Sequence, residues 1–140
     1  MRFVDWDIRL IEFAAAVKGM PFEWGNTNCA ALAAGAVDAM LGTDHFAAQR
    51  ALDLSEERAR EMSNACETRK ALLDAGLMPV ENPRLAQRGD IIYAVFDGWE
   101  CVHVVVGKYA LSSTMERGVC FVRLSGLLAM DGVEVFRCPQ

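Results

Sequence analysis

Cys29 follows the loop Pro21-Phe22-Glu23-Trp24-Gly25-Asn26-Thr27-Asn28 and opens an alanine-rich stretch that runs to Leu41. A thiol at a helix N-terminus lies among unpaired backbone N–H groups and the positive end of the helix dipole. Both favour the thiolate, the form of cysteine that attacks carbonyl carbon. A nucleophile of this kind needs a base, and the chain offers His103, carried in the run Cys101-Val102-His103-Val104-Val105-Val106. In an extended strand Cys101, His103 and Val105 share one face, and Val102, Val104 and Val106 share the other. Where the helix that starts at Cys29 packs on the His103 face, the imidazole can take the thiol proton and hold the thiolate as an ion pair.

The elements that would position these groups follow from spacing. Val4, Ile8, Ile11 and Ala15 recur at helical intervals, opposed by Asp5, Arg9, Glu12 and Lys18, and predict an amphipathic helix ending at Gly19-Met20-Pro21. Asn28 is the best-placed cap of a second helix from Cys29 to Leu41, which Gly42 closes. Ser55-Glu56-Glu57 begins an interrupted helical region that reaches Ala75 and stops at Gly76. Beyond Pro79 and Pro83 the texture changes to short β-branched or aromatic runs at 90–96, 101–106, 119–124 and 133–137. Helices first and a meander afterwards predict an α+β fold, N-terminal helices on a small, mostly antiparallel sheet, in a single domain over residues 1–140.

Composition narrows the function classes. A formal net charge of -5 without a basic block argues against nucleic acid as a partner, and no apolar run is long enough for a membrane span. No export signal is recognised at the N-terminus, so cytoplasmic synthesis and assembly are expected. The five cysteines form no C-x-x-C pair and have no histidine at zinc-ligand spacing, so neither a metal nor another cofactor is expected. Cys66, Cys101, Cys120 and Cys138 read as small buried hydrophobes, which leaves Cys29 as the thiol with a use. Trp24 is a candidate wall of the cleft beside it, and Asn28 a second substrate-side residue.

The run Pro21-Phe22-x-Trp24-Gly25-x-x-Asn28-Cys29, the Arg88-Gly89-Asp90-Ile91-Ile92 turn into a strand and the His103-Val104-x-Val106 segment resemble the NlpC-type branch of the papain-like cysteine peptidases. That branch includes relatives encoded near the tail-tip genes of tailed bacteriophages. The resemblance spans about residues 5 to 137. It implies Cys29 as nucleophile, His103 as base, a structural Asp90, and cleavage of peptidoglycan stem peptides through a thioester, with the Cys29 N–H as an oxyanion donor. It further implies phage tail hub or tail-tip proteins as partners, with assembly in the host cytoplasm and residence at the virion tail tip. The chain departs from the pattern at Asn28-Cys29-Ala30, where the family has Asp-Cys-Ser, and at Phe22, often a tyrosine. The residue that orients the histidine is expected among Ser112, Ser113 and Thr114, with Ser113 chosen. These departures favour a second reading, a catalytically weak or inactive structural tail-assembly protein on the same fold. A third is an acyltransferase or deamidase using the same dyad.

Overall fold

The computed structural model describes residues 2–139. Five helices come first: α1 (Trp6–Val17), α2 (Cys29–Leu41), α3 (His45–Arg50), α4 (Glu56–Asn64) and α5 (Glu67–Asp74). They are followed by β1 (Met78–Pro79), a 3-10 turn at Pro83–Leu85, β2 (Ile91–Phe96), β3 (Trp99–Val106), β4 (Tyr109–Thr114), β5 (Gly118–Arg123), α6 (Leu124–Leu128) and β6 (Glu134–Arg137). The strands form one six-stranded sheet in the order β1-β6-β2-β3-β4-β5, antiparallel at every pairing. The α+β class expected from the sequence is therefore the one observed.

α2 is the centre of the core. Ala31, Ala33 and Ala36 are buried, and their small side chains bring the helix close to the sheet, where Leu32, Val37 and Met40 pack with Ile91, Val102, Val104 and Leu111. α1 covers α2 from outside with Phe13 against Gly35, where a Cβ atom would lie 2.7 Å from the ring. The apolar stripe read from the sequence of α1 is not the one that folds inward. Leu10 and Ala14 are buried, and Trp6, Phe13 and Val17 pack against the core, whereas Ile8 and Ile11 are 55% and 45% exposed. α1 carries two apolar stripes, and the one with the bulkier residues is buried because it removes more apolar surface from water.

The opposite face of the sheet has a smaller core, in which Ile92, Val105 and Val135 lie under Leu124, Leu127 and Leu128 of α6 and its end. The interrupted helical region from Ser55 to Ala75 is two helices, its break at Cys66, which takes a left-handed backbone with φ 54°. β4 was not expected as a strand, since Ser112-Ser113-Thr114 has the composition of a turn. It is held by pairing on both sides, with β3 through Val104–Val106 and with β5 along its whole length.

Asp90 is a structural carboxylate, as expected. It is buried, accepts two 2.9 Å bonds from the Arg137 guanidinium and one of 2.8 Å from the Gln87 N–H, and so ties the start of β2 to β6. Gly89 before it has φ 90°, with Trp6 so close that a Cβ would lie 2.8 Å from its ring, a position suited to glycine alone. No helix among the described residues is long and apolar enough to cross a membrane.

Candidate functional site

Cys29 stands at the first position of α2, as its spacing predicts, but the cap is different. Asn28 has the extended backbone of an N-cap residue, yet its Oδ1 turns back and accepts from the Gly25 N–H at 2.9 Å. Thr27 Oγ1 likewise donates back to the Pro21 carbonyl at 2.7 Å. The polar side chains of the loop are spent on the loop itself, and the first turn of α2 has no side-chain acceptor. The Cys29 thiol itself faces the N–H groups of Ala30 and Cys29.

The position of the sulfur follows from strand geometry. Val105 exchanges both backbone bonds with the 89–90 segment, so the odd-numbered residues of β3 direct N–H and C=O toward β2 and the even-numbered ones direct theirs toward β4. The β3–β4 ladder ends at Val104. Toward Trp99, the Glu100 carbonyl and Val102 N–H therefore point into an unpaired edge, and Cys29 Sγ fills it, 4.0 Å from the Glu100 oxygen. Burial pushes the thiol above its ordinary value. The Val102, Ala30 and Cys29 N–H groups pull it back by less, and the nearby Glu100 charge raises it further. The thiol is protonated at neutral pH, contrary to the ionised nucleophile expected from a helix N-terminus; desolvation outweighs the dipole. Alkylation with iodoacetamide at pH 7 is accordingly expected to be at least about tenfold slower at Cys29 than at the exposed Cys66, as read by peptide mass spectrometry over time.

His103 does not meet this thiol. It sits opposite Ile92 in the β2–β3 register and shares its face with Val105, on the side covered by α6. Val102 and Val104, on the other face, are the β3 residues that pack on α2. The Cys29–His103 dyad expected from the sequence is thus corrected: strand alternation sends the imidazole off the far side of the sheet from the sulfur. There its Nδ1 lies 3.1 Å from Ser112 Oγ, and burial lowers its pKa to about 4, so the ring is neutral near pH 7. The expected partner Ser113 is corrected with it. Ser112 is the residue on the His103 face, and Ser113 projects to the α2 side with its Oγ buried and without a hydrogen-bond partner.

Cys29 and Ser113 open into one cavity of about 250 Å³. Its aromatic wall is Trp24 stacked on Trp99 at 6.2 Å, with Phe22 edge-on to Trp24 at 4.8 Å. The expected placement of Trp24 beside the thiol is thereby found, and Asn28 also lines the cavity. Leu54, Met62, Met115 and Cys101 add to the apolar lining, and Glu56, Glu100 and Glu116 supply its charge. Of the cysteines expected to be buried, only Cys138 is fully so; the Cys101 thiol is pushed up to about 12, by burial first and then by the Cys29 and Glu100 charges.

Glu100 was missed in the sequence. It is 6% exposed, accepts from the Thr68 and Arg69 N–H groups at 3.0 Å each and from the Tyr93 hydroxyl at 2.6 Å, and donates its own N–H to Ser63 Oγ. It caps α5 from across the chain and fastens α4 and α5 to β3 beside the cavity. The signal was its parity, since Glu100 falls on the Val102 and Val104 face, where an unpaired carboxylate would be costly.

A family model described as a domain of unknown function, DUF6950, matches residues 1–133. The chain belongs to the DUF6950 family. No match was found among curated proteins. In this DUF6950 domain, no three histidine, cysteine, aspartate or glutamate side chains are grouped so as to hold a metal ion, among the described residues.

Proposed function

We propose that this DUF6950 domain is an NlpC-type, papain-like fold that serves as a recognition and assembly component of a bacteriophage tail tip or hub, without hydrolysing peptidoglycan. Helices ahead of an antiparallel sheet, a cysteine at the head of the helix that packs on it, and the Gly89-Asp90 turn into β2 support the fold assignment. The single observation that carries the non-hydrolytic reading is the β3 register, which puts the imidazole with Val105 on the α6 side of the sheet while the thiol packs on the α2 side. Nucleophilic catalysis by cysteine needs a base within hydrogen-bond reach or an already ionised sulfur, and Cys29 has neither. The cavity is then a binding feature, and the expected partners are tail hub or tail-tip proteins met during assembly in the host cytoplasm.

The test is direct. Purified sacculi incubated with the full chain are expected to release no stem-peptide fragments above buffer by liquid chromatography and mass spectrometry, and Cys29→Ala is expected to change nothing. Fragment release that disappears in Cys29→Ala would overturn this reading in favour of the peptidase. Cross-linking of intact virions, with the chain joined to tail-tip proteins, is the expected outcome for its location.

A further inference from the structure

β5 is an outer strand of the sheet, and its outward side is unpaired over its second half. Val119 is covered from outside: its N–H donates to the Met20 carbonyl at 2.8 Å, and its carbonyl accepts from the Gly19 N–H at 2.9 Å. By strand alternation Phe121 and Arg123 aim their main-chain groups the same way, while Cys120 and Val122 aim theirs at β4. Gly19 and Met20 have no neighbours that could follow along the edge. Before Gly19 the chain is already helical, with the Lys18 N–H given to the Ala14 carbonyl, so it has left the sheet. The Phe121 N–H and C=O and the Arg123 N–H are therefore without a backbone partner among the described residues, and the Arg123 C=O is taken up as the N-cap of α6. Such an edge is a template for one more strand.

The charge beside this edge is of one sign. Two hollows, of about 470 Å³ and 350 Å³, meet at the exposed Tyr109 ring. Lys18 lines the first, Lys108 and Arg123 line the second, and no aspartate or glutamate lines either. All three cations are exposed and none is in an ion pair among the described residues, although the net charge of the chain is -5. Lys18 Nζ lies 5.5 Å from the centre of the Phe121 ring, on the α2 side of the sheet, where the odd-numbered residues of β5 project. Phe121 and Arg123 are alternate residues, about 7 Å apart along the strand, so the two charges are spaced as alternate side chains of an added strand are. A second copy of the chain does not suit the edge, since β5 paired with itself would set Lys18 and Arg123 of both copies against one another.

We propose that β5 takes up an extended acidic segment of a partner protein, antiparallel to it as Gly19-Met20 is to Val119, and paired with the main chain at Phe121 and Arg123. Alternate carboxylates of the segment lie on the α2 side, at Lys18 and Arg123, and the residue between them is apolar and lies beside Val122 on the other face. Main-chain bonds hold any extended segment; the two cations select the acidic one. The inference gives the assembly reading a contact surface, but it rests on the β5 edge and not on the Cys29 site.

The experiment is a titration of the full chain followed by amide chemical shifts and hydrogen exchange. At about 0.15 M salt, charges more than about 8 Å away are screened, so the local cations are sampled and not the net charge. Three blocked hexapeptides serve as probes: acetyl-Ser-Glu-Val-Glu-Val-Ser-amide, its counterpart with lysine for glutamate, and the glutamate peptide N-methylated at both glutamates, the residues whose N–H groups would face β5. The glutamate peptide is expected to move the Phe121 and Arg123 amides saturably and to slow their exchange, which in the free chain is faster than that of Val119, Cys120 and Val122. The lysine peptide and the N-methylated peptide are each expected to bind at least about fivefold more weakly. Lys18→Gln with Arg123→Gln, both exposed and outside any ion pair among the described residues, is expected to abolish the preference for glutamate over lysine. Equal binding of the glutamate and lysine peptides by the unaltered chain, undiminished binding of the N-methylated peptide, or no protection at Phe121 and Arg123 would overturn the proposal. A concentration-dependent dimer in sedimentation that protects the same two amides would overturn it in favour of a second copy. Release of fragments from sacculi bears on the Cys29 site alone and leaves this result to stand or fall by itself.

Discussion

Glu100→Ala is expected to lower the unfolding free energy by roughly 3–5 kcal/mol, measured by urea denaturation, the largest effect of any single substitution considered for this domain. The side chain is 6% exposed, and its two oxygens take three hydrogen bonds. Removing it leaves the Tyr93 hydroxyl and the Thr68 and Arg69 N–H groups without an acceptor in a dry setting, and it takes the anion from the positive end of α5. The cost falls on unsatisfied partners more than on a lost ion pair. Glu100→Gln keeps the shape and one acceptor but turns an NH₂ group toward a donor, so an intermediate loss is expected. The Glu100 N–H bond to Ser63 Oγ comes from the backbone and survives the substitution, so α5 should loosen ahead of α4, and amide exchange across 67–74 should accelerate in the alanine variant ahead of the sheet. A loss below about 1 kcal/mol would mean that the cap is filled by water and that the carboxylate does not fasten these helices.

Stability is expected to fall by roughly 2–3 kcal/mol as pH drops from about 6.5 to 4, through His103. Burial lowers its folded pKa from 6.5 to about 4, whereas in the unfolded chain it titrates near its ordinary value. Between those two pH values the unfolded state binds the additional proton, so lowering pH favours unfolding. The contribution is fully present above 6.5 and gone below 4. Chemical denaturation at half-unit pH steps should show this slope, and His103→Gln should flatten it between pH 6.5 and 5, above the range in which most carboxylates titrate. The imidazole faces Ser112, Ile92 and the α6 side of the sheet, with no carboxylate hydrogen-bonded to it, so nothing compensates its protonation. An unchanged slope in the variant would place the ring in contact with water.

Local pattern made much of the architecture legible. The loop from Pro21 to Asn28, the alanine stripe of α2 and the glycines at 42 and 76 mark helix ends through backbone requirements that act within a few residues, and they lie where the sequence puts them. The same holds for Cys29 at a helix start, for Asp90 as a structural group and for Trp24 beside the thiol. Failures came where two local answers were equally good. α1 offers two apolar stripes, and only the bulk of Trp6, Leu10 and Phe13 against the core selects between them. β4 is a strand by pairing and not by propensity, since its Ser-Ser-Thr end is held by β5.

The site itself divides in the same way. Strand alternation was visible in the sequence and correctly separates His103 and Val105 from Val102 and Val104, although Cys101, beyond the end of the β3–β4 ladder, lines the Cys29 cavity. Which face meets α2 was not visible, because both faces of β3 are apolar, and a period of two fixes relative but not absolute orientation. Packing settled it: Val102 and Val104 join the larger core under α2, Val105 joins the smaller one under α6, and the imidazole goes with Val105. The ionisation of Cys29 was likewise a contest of two terms, one readable from its place at a helix start and the other, desolvation against the open edge of β3, set only by how far the strands part. The sequence by itself determined an α+β domain with a thiol at the head of its central helix. The tertiary structure alone decided that this thiol has no imidazole beside it, because the side of a sheet on which a residue emerges depends on what the whole sheet buries.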